Sequence, residues 1–173
     1  MKRIKLEIWF VIICIYIFAA GCEINSVDKY ELFKSIESTD LSGEHMNSVS
    51  LSTQEEVVLI SFGEPEKVHE IANPKTKYLV YDDIEFGIEN NEVFGYFFTG
   101  DKSTAKGISK GDSRDKVMET YGPKYYERTD TDSDIIGYLD KHHGINLEFS
   151  FHENNLVGTA FKKIVNKNRS IPN

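Results

Sequence analysis

Ile84-Glu85-Phe86-Gly87-Ile88 and Leu147-Glu148-Phe149-Ser150-Phe151 are one pattern written twice, 63 residues apart. Apolar residues alternate with Glu or a small residue, the period of a strand with one face on a core and one turned away from it. The offset holds downstream, where it pairs Asn91 with Asn154, Val93 with Leu156, Gly95 with Gly158 and Phe98 with Phe161. Upstream, Val49, Val58, Leu59, Phe62 and Gly63 match Ile108, Val117, Met118, Tyr121 and Gly122 at an offset of 59. Two gapless blocks, with a net four-residue insertion between Gly122 and Leu147, mark a duplicated supersecondary unit.

Each unit opens on a short helix. Thr53 ahead of Glu56, and Asp112 ahead of Asp115, set a capping oxygen before an acidic first turn. Val58, Leu59 and Phe62 share one helical face, as do Val117, Met118 and Tyr121. Gly63 and Gly122, with Pro65 and Pro123 close behind, end the helices. Helices of about ten residues are marginal alone in water, so they need a sheet to pack on. The first unit supplies strands at Val68–Ile71, Tyr78–Tyr81, Ile84–Ile88 and Val93–Phe98, with a turn at Glu89-Asn90-Asn91-Glu92 echoed by His152-Glu153-Asn154-Asn155. The expected class is α+β: two tandem repeats of a short helix packed on an antiparallel β-meander, over 49–105 and 106–165.

A capped helix closing on Gly63-Glu64-Pro65 or Gly122-Pro123, followed by a meander like Ile84 to Phe98, resembles the repeats of β-lactamase-inhibitory-protein-like folds. It is also similar to the SmpA/OmlA lipoproteins and the YjgB-like lipoproteins, over Val49 to Lys163. The resemblance implies protein binding through the sheet face and loops, without catalysis. The expected function is a non-catalytic module binding a protein or a surface component, with an inhibitor or immunity-type protein acting on a secreted enzyme as the alternative and a calcium-dependent surface protein or an enzyme below it.

The N-terminus carries an address. Lys2, Arg3 and Lys5 precede an apolar run from Ile8 to Ala20, too short at 13 residues to span a bilayer but suited to a secretory signal. Ala19-Ala20-Gly21-Cys22 resembles the bacterial lipobox, departing from it at Ala19, where Leu is usual; Glu7 is a second departure. This implies cleavage between Gly21 and Cys22, acyl chains on Cys22, and a membrane as partner on its outer, extracytoplasmic face. Residues 1–21 are then the signal peptide, 22–48 a flexible lipid-anchored tether, and 166–173 a basic tail. Cys14 leaves with the signal, so no internal disulfide remains. The processed chain has 17 basic and 27 acidic residues, a net charge of −10 that excludes nucleic acid as a partner. Lys162, Lys163, Lys167 and Arg169 form its one basic stretch and read as a solvated terminus.

No motif names a reaction. Asp130, Asp132 and Asp134 start like a calcium loop, but Ile135 and Lys141 stand where Gly and Glu are needed. A solvated acidic loop is expected there, with weak calcium binding as the lesser alternative. His142 and His143 are adjacent, which sends them to opposite faces of an extended chain and argues against a zinc chelate. Gly-x-Ser-x-Gly, His-Glu-x-x-His and a phosphate loop are all missing. No catalytic residue, metal or cofactor is therefore assigned. The better lead is Phe94-Gly95-Tyr96-Phe97-Phe98, which has aromatic groups on both faces of one strand. Phe94 and Tyr96, with Tyr125 and Tyr126, are the candidate patch for a protein partner, and Gly95 and Gly158 fit a bulge or a close backbone approach.

Overall fold

In a computed structural model of the chain, residues 34–73, 75–130 and 133–164 are described. Cys14, Gly21, Cys22, Lys167 and Arg169 lie outside them. The chain divides at Ser35, and the sheet with the two helices packed on it belongs to the unit that begins at Ile36.

The first helix, α1, spans Glu55–Phe62 and is followed by β1 (Lys67–Ile71), β2 (Thr76–Val80), β3 (Ile84–Glu89) and β4 (Glu92–Phe98). Then come α2 (Arg114–Tyr121), β5 (Tyr125–Asp130), β6 (Ser133–Asp140), β7 (Ile145–His152) and β8 (Asn155–Lys163). All eight strands join one antiparallel sheet in the order β1-β2-β3-β4-β8-β7-β6-β5. This corrects the expected α+β class of two helix-plus-meander repeats. The fold is largely β, one continuous eight-stranded sheet with only two eight-residue helices. The ladder that merges the halves runs from Gly95 opposite Lys162 to Phe98 opposite Thr159. Local patterning carries no sign of it, because the paired residues are some 60 positions apart.

One sheet face packs on the helices. Phe62 of α1 meets Phe86 edge-on at 4.9 Å, and Tyr121 of α2 meets Phe149 and Tyr138 at 5.1 and 5.2 Å. Val58 and Val117 are fully buried in the same core as Ile88, Phe98, Leu147 and Phe161. Each large apolar side chain buried this way contributes about 1.5–3 kcal/mol.

Helix entries sit one residue later than expected. Gln54 caps α1 without a side-chain hydrogen bond, whereas Ser113 caps α2 and its hydroxyl accepts from the Lys116 N–H at 3.2 Å. Thr53 and Asp112 instead accept from the backbone N–H groups of Ser50 and Ser109, three residues upstream, and so brace the turns that lead in. The exits are as read: Gly63 and Gly122 adopt φ of 78° and 88° and donate to Leu59 O and Met118 O. The hairpins at 89–92 and 152–155 have positive φ at Asn90, Asn91, Glu153 and Asn154, the turn geometry that matches strand twist.

Part of the expected tether belongs to the fold. Thr39 N–H donates to Leu139 O at 2.7 Å, and Leu41 N–H donates to the Asp140 carboxylate at 2.9 Å. Leu41, Met46 and Val49 are buried in the core. Glu44 is buried beside them, accepting from the Tyr121 hydroxyl at 2.7 Å and the Ala105 N–H at 3.1 Å.

Candidate functional site

The face turned away from the helices is organised in rows across the strands. One row reads Lys67, Val80, Glu85, Phe97, Ala160, Glu148, Gly137, Tyr126. The next reads His69, Tyr78, Gly87, Gly95, Lys162, Asn146, Leu139.

Three glycines on this face lie under aromatic rings. Phe94 covers Gly87, Phe97 covers Gly158 and Tyr126 covers Gly137; a Cβ at any of them would run into the ring. Gly95 packs so closely on β8 that its Cβ would stand 3.0 Å from Lys162 Cβ, the close approach expected there. The bulges fall beside the glycines, at Gly87/Ile88 and at Ser150/Phe151.

Of the four aromatics expected to form one patch, two lie on each face. Tyr96 is buried on the helix side between Phe86, Phe98 and Phe161, and burial raises its hydroxyl pKa. Tyr125 packs on the same side, 6.1 Å from Tyr138. Phe94 is half-buried on the outer face, edge-on to Tyr78 at 6.0 Å. Tyr126 is on the outer face but buried. Alternation across the bulge explains the split, because the extra residue returns Phe94 to the face of Gly87. The outer-face residue left out of the expected patch is Phe97, 45% exposed, its ring over Gly158 of β8 while that of Phe94 lies over Gly87 of β3.

Toward β5 the face changes character. Glu148 is only 3% exposed. It accepts from Arg128 Nε and Nη2 at 3.0 and 3.1 Å, from Lys162 at 3.2 Å and from the Tyr126 hydroxyl at 2.7 Å. Desolvation opposes the charge, but these donors and cations outweigh it and hold the carboxyl pKa at about 2. Both partners respond: burial and Glu148 push the Tyr126 hydroxyl upward, and Glu148 raises the Arg128 guanidinium pKa further. The cluster is saturated and pre-shaped, so it offers a rigid polar shoulder to the outer-face aromatics.

The remaining candidate residues make the following contacts, with Asp132 outside the described residues. Asp130 pairs with Arg128 at 2.9 Å, and Asp134 lies 3.9 Å from Arg114. His142 and His143 occupy the turn after β6 with rings 4.6 Å apart. Asp40, Asp140 and His143 bring ligand atoms within 4.8 Å of one another, a grouping hidden in the sequence because Asp40 lies in the expected tether. Asp140 is already engaged by Leu41 N–H, His143 N–H and His143 Nδ1, the last at 2.8 Å, and the two backbone donors with His143 hold its carboxyl below the usual range. A depression of about 750 Å³ nearby is lined by Ser42, Ser50, Ser52, Lys141, His143 and Lys163 among others. Among the described residues, no helix is long and apolar enough to cross a membrane.

No protein-family model matches the chain, and no curated protein sequence is similar to it. Among solved structures, the chain is similar to an extracellular protein containing an SCP domain from Bacillus anthracis. That match has a TM-score of 0.50 and 14% identity, over 74% of this chain and 50% of that one. A cysteine-rich secretory protein from Staphylococcus aureus matches at a TM-score of 0.46 and 11% identity, over 65% and 44%. The chain thus spans about half the length of these proteins, and the first likeness is one of fold.

Proposed function

We propose that the chain is an extracytoplasmic, non-catalytic binding module, held at a membrane by lipid on Cys22, that engages a protein partner through its outer sheet face. The carrying observation is the set of aromatics on the outer face, Tyr78 edge-on to Phe94 over β3 and Phe97 over β8, with Phe97 nearly half exposed and its ring braced on Gly158. Rigid aromatics beside a fixed polar cluster suit protein contacts, since little side-chain freedom is lost on binding. The signal-like N-terminus and the extracellular nature of the Bacillus anthracis neighbour support the location.

A photo-crosslinking residue in place of Phe97, expressed in the producing cells, should give discrete protein adducts. The same residue at Glu153, in the exposed β7–β8 turn, should give none. Equal labelling from both positions, or none from Phe97, would sink the outer-face reading. For the anchor, Cys22→Ala should release the protein or leave it unprocessed, and unchanged membrane retention without lipid labelling would overturn that part.

A further inference from the structure

The two edges of the sheet are unlike. On β5, Glu127 pairs with Arg114 at 2.8 Å, and Arg128 pairs with Asp130 at 2.9 Å and Glu148 at 3.0 Å. On β5 the charges are tied into ion pairs, whereas Lys67 and Glu70 of β1 have none among the described residues. On β1 every residue is exposed, and none of its side chains has a hydrogen bond or ion pair among the described residues. Val68, opposite buried Leu79 on the helix face, is 47% exposed; Ile71, on the outer face, is 44% exposed. An open edge with apolar side chains on both faces is a template for strand pairing.

The surroundings select the strand. From Thr53 to Thr99 the chain carries ten acidic and three basic residues, whereas from Asp112 to Lys163 it carries ten and seven. Of those three bases, Lys77 is taken by Glu55 at 2.6 Å, while Lys67 opens β1 and Lys75 lies in the turn after it, against the four acidic groups that follow. Glu56, Glu64, Glu66 and Glu70 are exposed, without an ion-pair partner among the described residues. Such a field repels acidic chains and draws in basic ones.

We propose that β1 is a docking edge for an extended basic segment of a partner polypeptide in which apolar residues alternate with Lys or Arg. As a ninth strand it satisfies the backbone groups β1 leaves open. With its basic side chains on the helix face, near Glu66 and Glu70, its apolar ones fall on the outer face beside Ile71. The inference goes beyond the outer-face reading and uses none of its residues, so loss of crosslinking at Phe97 leaves it standing.

The probe is a blocked octapeptide of alternating Lys and Val added to the full chain, with the Glu-Val peptide as its charge-reversed control. At about four times its dissociation constant, the Lys-Val peptide should slow hydrogen exchange of the β1 amides about fivefold. Added salt should weaken the effect, and the Glu-Val peptide should give none. Glu66→Lys combined with Glu70→Lys, both exposed and unpaired, should abolish protection while the circular dichroism stays unchanged; Val68→Pro should do the same by blocking the ladder. Unprotected β1 amides, equal protection by the Glu-Val peptide, or protection that survives the double Lys variant would overturn the proposal. So would β1 protection in the chain alone that grows with its concentration, which would assign the edge to a second copy.

Discussion

Glu85 and Glu148 occupy the same place in the duplicated pattern and lie in one cross-sheet row, yet they live in different surroundings. Glu148 stands between Ala160 and Gly137, whose small side chains leave room for Tyr126, Arg128 and Lys162 to converge on it. Glu85 stands between Val80 and Phe97, half exposed and without an ion pair among the described residues. The same local sequence therefore makes a buried, saturated charge in one half and an open acidic surface in the other. Neighbours one strand away decide which.

The largest expected effect tests that contrast directly. Glu148→Ala strands Arg128 and Lys162 beside a buried gap and should lower unfolding free energy by about 3–5 kcal/mol in urea titrations. Glu85→Ala should stay within about 0.5 kcal/mol. Similar losses at both positions would break the comparison.

Acid should act on the buried carboxylate next. Glu148 titrates at about 2 in the folded state, against 4.5 as its ordinary value. A folded pKa below the unfolded one contributes stability above pH 4.5, and that contribution fades as pH falls toward 2. Its size is about 3 kcal/mol at about 1.4 kcal/mol per pKa unit. The pH dependence of thermal melts between pH 5 and pH 2 should therefore flatten in Glu148→Gln relative to the unaltered protein.

The glycines beneath the rings sharpen the contrast further. Tyr126 is buried and tied to Glu148 and Asn146, so Gly137→Ala has no room and should cost about 1–3 kcal/mol. Phe94 is half exposed and can swing away, so Gly87→Ala should cost less. Smallest are the helix entries: Ser113→Ala should lose about 1 kcal/mol, and Gln54→Ser should gain up to about that, both read from denaturation midpoints.

Much of the local structure was legible. Gly63 and Gly122 end their helices because left-handed backbone favours glycine, and Asn90-Asn91 turns its hairpin for a related reason. The core residues among Ile84–Ile88 and Leu147–Phe151 followed from alternation. The patch did not, because the bulge in β4 moves Phe94 to the face opposite Tyr96, and a single misplaced residue inverts a face assignment. Phe97 was left out of the patch, because what braces its ring is Gly158, on another strand.

By itself the sequence determined the helix stops, the hairpin turns, the inward-facing apolar rows and the acidic surplus between Thr53 and Thr99, since each rests on near neighbours or composition. Only the tertiary structure decided that the halves share one sheet through β4 and β8. It also decided that Glu148 is buried while Glu85 is half exposed, and that β1 stands at the edge of the sheet among the described residues. Those outcomes depend on which distant strand lies alongside, a choice made by packing area and hydrogen-bond registry across the whole sheet.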